Sequence, residues 1–219
     1  MQFMKKSFQQ NKNFEKNIKI VAITGSIGSG KSTVAKFIEE MGYPVIKTDD
    51  LAKIIMLNDE EVKRKLIKEF GENIYNDNGT LNSKQLSLIV FDKIDSNHTK
   101  LEKLNQIIHP IVIEQMIMEI DKFVQMGEAL IFVESALIYE TGLDEGFDYI
   151  IDVDCREELR IKRTAERLKL SEEEIRNRDS VQISAQVKKN LADFVIENNN
   201  NLEKLRFSTE FVIEMIKMA

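Results

Sequence analysis

Gly25-Ser26-Ile27-Gly28-Ser29-Gly30-Lys31-Ser32 follows the pattern G-x-x-x-x-G-K-[ST], in which each fixed position has a chemical task. Glycines let backbone N–H groups turn toward a polyphosphate, and the N-terminus of a following helix adds positive potential. Lys31 has the reach for β- and γ-phosphates, and Ser32 offers a hydroxyl to Mg²⁺. Such a loop serves kinases, switches and motors alike, so the reaction must be read from a second set of residues.

Several side chains qualify for that set. Asp49 closes the next extended segment, where a carboxylate can accept a proton from an attacking hydroxyl or hold Mg²⁺ through water. The competing reading of Asp49-Asp50 is a helix cap, with Asp50 the better cap. Glu134 ends the apolar run Leu130–Val133, as an acid feeding a metal or substrate site, with Glu140 a rival for the same part. Arg156, Arg160, Arg163 and Arg167 recur at spacings of four, three and four, which puts them on one helical face. That face is either a salt-bridged surface or a lid that clamps phosphates, with Arg163 and Arg167 the favoured clamps. His109 precedes Pro110 in a helical stretch and reads either as a helix-end histidine or as a ligand. No H-E-x-x-H, C-x-x-C or G-x-S-x-G occurs, so zinc hydrolysis and serine acyl transfer have no support.

The elements that position these residues follow from periodicity. Ile18–Thr24 is an apolar strand, and Ser32–Met41 carries apolar residues at helical spacing before Gly42-Tyr43-Pro44 stops it. Val45-Ile46 restarts a strand, giving a βαβ unit. Asp49–Phe70 and Asn82–Asp95 read as helices around a turn at Asn76–Gly79, and Thr99–Met126 as a helix interrupted near His109-Pro110. Ala129–Val133, Tyr149–Val153 and Phe194–Ile196 read as further strands, followed by a helix over Leu202–Met218. The alternation predicts an α/β fold with a doubly wound, mainly parallel sheet.

The chain has 219 residues, 31 basic against 37 acidic, for a net charge of -6, which disfavours a general binder of nucleic acid or anionic membrane. The length suits one domain. Cys155 is the only cysteine, so no intrachain disulfide forms and a reducing cytoplasm is expected. No apolar run approaches the ~20 residues of a membrane span. Met1–Asn17 is expected to be a flexible leader, with an amphipathic helix built on Phe3, Met4, Phe8 and Phe14 as the alternative.

Taken together, Ile23–Thr33, Gly42–Ile46 leading to Asp49, Phe70-Gly71, Ile108-His109-Pro110, Glu134–Gly142, Val153-Asp154-Cys155, Arg163–Arg167, Leu170–Glu174, Arg178, Gln182 and Ala192–Asn198 closely resemble the dephospho-coenzyme A kinase family. The resemblance runs from about Ile18 to the C-terminus. It implies ATP-dependent phosphorylation of the ribose 3′-hydroxyl of dephospho-coenzyme A, the last step of coenzyme A synthesis, on a P-loop kinase fold. The core would be residues 18–48, 129–155 and 186–219, the helical substrate-binding region about 49–128, and the lid about 156–185. Gly25, Ser26, Ile27, Gly28, Ser29, Gly30, Lys31, Ser32, Thr33 and Asn198 are then expected on ATP, Ser32 on Mg²⁺, and Asp49 as the base. His109, Glu134 and Tyr139 are expected near the acceptor, and Arg163 and Arg167 on the phosphates. The chain departs from the family pattern at Lys47, Ile113, Ala136 and Leu168-Lys169. A monomer or weak homo-oligomer is expected, with ATP and dephospho-coenzyme A as its small-molecule partners. The rivals are another small-molecule P-loop kinase, of nucleoside or nucleoside-monophosphate type, and a nucleotide-dependent binding module without turnover.

Overall fold

The computed structural model describes residues 18–92 and 98–219. The leader Met1–Asn17 and the end of the helix expected over Asn82–Asp95 lie outside them.

Five strands form one parallel sheet: β1 (Lys19–Thr24), β2 (Val45–Lys47), β3 (Leu130–Glu134), β4 (Tyr149–Asp154) and β5 (Phe194–Glu197), in the order β2-β3-β1-β4-β5. β1 is buried from Ile20 to Thr24 without alternation, as expected of a central strand covered on both faces. The two-residue period then sorts its side chains. Val21 and Ile23 join Leu130, Phe132, Ile151, Val153 and Ile196 in one core, which the helices α1 (Lys31–Glu40) and α9 (Leu202–Met218) cover through Val34, Ile38, Leu205, Val212 and Ile213. Ala22, Thr24, Ile131, Val133 and Asp152 fall in the opposite phase and are also buried.

The chain divides into two compact units. The first holds the sheet and comprises the residues to Lys47 together with Glu119–Ala219. It includes a helical segment after β4: α6 (Glu157–Leu168), α7 (Glu172–Asp179) and α8 (Ala185–Leu191). α6 ends on Lys169 at φ 56°, a left-handed position where glycine is the usual occupant. α7 opens with a full capping box between Ser171 and Glu174.

The second unit, Thr48–Met118, is helical: α2 (Thr48–Asn58), α3 (Glu60–Phe70), α4 (Ser83–Val90) and Thr99–Met118 of α5 (Thr99–Gln125). The single helix expected over Asp49–Phe70 is two. Asp59 breaks it, because its carboxylate caps the next helix by accepting from the N–H of Glu61 and Val62, each at 2.9 Å. The turn at Asn76–Gly79 forms as expected, closed by Asn76 N–H to Thr80 O at 2.8 Å and a bridge between Tyr75 and Leu81. α5 runs through Pro110 without the expected interruption. Ile108 and Val112, on either side of the proline, are buried in one core with Ile55, Val62, Leu66, Ile74, Leu86 and Val90, and that packing holds the helix across the missing N–H.

Candidate active site

The phosphate-loop motif lies where its chemistry requires, between β1 and α1. Gly30 takes the N-cap position of α1 at φ 107°, without a side-chain cap and with no acidic residue in the first turn. The positive end of the helix is left to an anion. A Cβ at Gly30 would lie 2.2 Å from Asn198 Nδ2, and one at Gly28 (φ 77°) would lie 2.2 Å from Thr164 Oγ1. Positive φ favours glycine at both, and at Gly28 the backbone carbonyl of Arg160, 2.7 Å from such a Cβ, leaves no space either.

Lys31 folds back over the loop, its ammonium donating to the carbonyls of Gly25 at 2.8 Å and Ser26 at 3.2 Å. Asn198, 7% exposed, donates from Nδ2 to Ser29 O at 2.8 Å. Its own carbonyl accepts from Arg163 Nη1 at 3.0 Å, so β5, α6 and the loop are tied in sequence. The hydroxyls of Thr24, Ser29 and Thr164 are buried there with no hydrogen-bond partner among the described residues.

Ser32 donates its hydroxyl to Glu134 Oε1 at 3.0 Å. Glu134, expected near the acceptor, thus stands beside the proposed metal ligand, and the two supply hard oxygen donors of the kind Mg²⁺ takes. Among the described residues no group of three or more His, Cys, Asp and Glu side chains could hold a metal. Ser32 and Glu134 are side chains here that could hold such an ion.

The four arginines of the helical face meet different surroundings. Arg156 and Arg167 are exposed. Arg163 is committed to Asn198 O and lies 3.4 Å from the Cys155 thiol, whose pKa burial pushes up. Arg160 is 4% exposed, donating from Nη1 to Ile27 O at 2.9 Å and pairing with Asp179.

Behind the loop lie Asp152 and Lys188, which sequence reading did not select, beside Glu140 and Tyr139, which it did. Asp152 is 2% exposed and its pKa is pushed up to about 6, by burial first and then by the nearby charge of Asp154. Lys188 is fully buried, donating to Ala136 O at 2.7 Å and Gln182 Oε1 at 2.9 Å, with Glu140 Oε1 at 3.4 Å. Burial pulls its ammonium below the usual lysine range. Glu140 also accepts from Ile183 N–H at 2.8 Å, which makes it a support of the segment after α7. The Tyr139 hydroxyl is buried without a partner among the described residues, and burial, then Asp152, pushes its pKa up to about 12. An acid inside the apolar run Tyr149–Val153 was a visible signal for Asp152; Lys188, in a polar stretch, carried none.

Asp49 and His109 belong to the helical unit. Asp49 lies in the first turn of α2 and is exposed; the expected strand end is already helix, because Thr48 opens it. Asp50, expected to cap that helix, lies inside its first turn and accepts from Lys53 at 2.7 Å. Both carboxylates complement the helix dipole there. His109 is half-buried in α5, and burial lowers its pKa.

A family model described as dephospho-CoA kinase matches residues 19–204. A Fusobacterium nucleatum protein named dephospho-CoA kinase is 38% identical over 200 residues, 91% of this chain and 100% of its own. A Listeria monocytogenes protein of the same name is 37% identical over 196 residues, covering 90% and 96%. Among solved structures, a Thermus thermophilus protein superposes with a TM-score of 0.72 at 30% identity, covering 91% of this chain and 98% of that one. Dephospho-CoA kinase from Campylobacter jejuni superposes at 0.65 with 28% identity, covering 91% and 97%.

Proposed function

The chain belongs to the dephospho-CoA kinase family, and from that premise we propose that it transfers the γ-phosphoryl group of Mg²⁺-ATP to the 3′-hydroxyl of dephospho-coenzyme A. The observation that carries the reading is the loop itself: an uncapped α1 N-terminus, Gly28 and Gly30 at positive φ where a side chain would be strained, and Lys31 folded over the carbonyls of Gly25 and Ser26.

In this mechanism Gly25–Thr33 cradle the polyphosphate through backbone N–H groups, and Lys31 exchanges the loop carbonyls for β- and γ-phosphate oxygens. Asn198 keeps the loop in shape from behind through Ser29 O. Ser32 and Glu134 would hold Mg²⁺, whose positive charge would offset the negative charge of the phosphates. Asp49 orients the acceptor hydroxyl and takes its proton. Arg163 and Arg167, on the segment after β4 that forms the lid, balance charge on the transferring group. His109 and Tyr139 contact the acceptor, and the helical unit Thr48–Met118 supplies its binding region. Catalysis is positioning and electrostatics rather than covalent chemistry. We place the reaction in the cytoplasm, where Cys155, buried as a free thiol, stays reduced.

The test is direct. Protein incubated with Mg²⁺-ATP and dephospho-coenzyme A should convert the acceptor to coenzyme A, seen by mass. Phosphorylation of a nucleoside or nucleoside monophosphate instead would move the chain to another small-molecule kinase activity.

A further inference from the structure

Arg160 is an expensive residue to place where it is. A guanidinium at 4% exposure has lost its hydration, and an apolar side chain of similar volume generally fills such a space at no greater cost. The contacts show what an apolar side chain could not do. Nη1 donates to Ile27 O at 2.9 Å and to Asp179 Oδ1 at 3.2 Å, while Nη2 donates to Asp179 Oδ2 at 3.0 Å. The fork spans a carbonyl inside the phosphate loop and the last residue of α7.

The Ile27 carbonyl belongs to the peptide that also carries the Gly28 N–H. A planar trans peptide points its C=O and N–H in opposite directions, so a carbonyl held toward Arg160 sends the Gly28 N–H to the opposite side of the loop. The backbone of α6 is pressed against the same point, since a Cβ on Gly28 would come 2.7 Å from Arg160 O. The direction of one loop N–H is thus set by a guanidinium whose own orientation is set by Asp179. We infer that Arg160 and Asp179 are positioning residues for the phosphate-binding loop, coupling the aim of the Gly28 N–H to the α6–α7 hairpin. This rests on the reading that Gly25–Ser32 binds ATP. Lysine cannot substitute, because one ammonium does not reproduce the fork that serves a carboxylate and a carbonyl together.

The test compares Arg160→Lys, Asp179→Asn and their double variant in the full chain. Mg²⁺-ATP is titrated by calorimetry, alongside KM for each substrate and thermal melts. Each single variant is expected to weaken Mg²⁺-ATP about tenfold, with the acceptor KM within about twofold, and the double variant to be no worse than Arg160→Lys. Asp179 is 29% exposed, so Asp179→Asn keeps the question open to measurement even if Arg160→Lys does not fold. Unchanged Mg²⁺-ATP affinity in Asp179→Asn, or a rise in both KM values together, would overturn the assignment. If wild type binds Mg²⁺-ATP without phosphorylating dephospho-coenzyme A, the acceptor reading fails while the affinity comparison still decides this one.

Discussion

The Ser32 hydroxyl donates to Glu134 Oε1 at 3.0 Å, joining the first turn of α1 to the last residue of β3. β3 is paired with β1 on one side and β2 on the other, so the carboxylate sits on rigid backbone. Glu134→Gln keeps the shape and an acceptor oxygen but removes the charge. The expected result is a fall in kcat of about 10² and a higher Mg²⁺ concentration for half-maximal rate. A Mg²⁺ titration of the steady-state rate checks it; an unchanged half-point would leave Glu134 as a mere partner of Ser32.

Asp49→Asn should lower kcat by about 10² or more and leave ATP binding nearly unchanged, because the amide keeps the shape but cannot take the proton. Stability should move little, since Asp49 is exposed in the first turn of α2. Normal turnover in the variant would reduce Asp49 to a complement of the helix dipole.

Arg163→Ala and Arg167→Ala should separate. Arg167 is exposed, so its loss should cost a few tenths of a kcal/mol in stability but about 10² in kcat/KM if it serves the transferring phosphoryl group. Arg163 also holds Asn198 O, so its removal should cost roughly 1–3 kcal/mol in addition to activity. Thermal melts beside kinetics read both quantities, and wild-type kcat/KM in the two variants would remove the lid assignment.

Asp152 predicts a pH effect of definite sign. Burial and Asp154 raise its pKa from 3.8 to about 6, so the folded state binds its proton more tightly than the unfolded one. The associated stability is present below about pH 4 and is lost as pH rises through about 6. The full loss is on the order of 3 kcal/mol. Asp152→Asn should therefore gain in melting temperature relative to wild type as pH goes from 4 to 7. A difference that stays constant with pH would show that Asp152 titrates normally.

What the chain discloses in sequence is what lies close together along it. The phosphate loop was legible because the strand, the glycines, Lys31 and the helix occupy one contiguous stretch, and the periodicities of β4, β5 and α9 were strong enough to place them within a residue. Arg160 was visible as one of four arginines, but its distinction from Arg156 and Arg167 comes from Ile27, 133 positions away. Lys188 reaches Ala136 across 52 positions, and a lysine in a polar stretch ordinarily signals solvent. The break at Asp59 and the unbroken α5 show the same limit at short range. In one case a capping carboxylate overrode a continuous helical pattern, and in the other buried Ile108 and Val112 overrode a proline.

The central position of β1 also bears on how the protein is made. The strand that carries the loop leaves the ribosome well before its sheet neighbours, which begin at Leu130 and Tyr149. The Asn198 amide that closes on Ser29 O comes 169 residues after it. At bacterial or eukaryotic translation speeds that interval is roughly 10–30 s. Until Leu130 and the rest of β3 follow, Ile20–Ile23 is an unpaired apolar strand of the kind that templates aggregation. The phosphate loop precedes β3, β4 and Asn198 in the chain, so its surroundings are completed only after those later segments have been made.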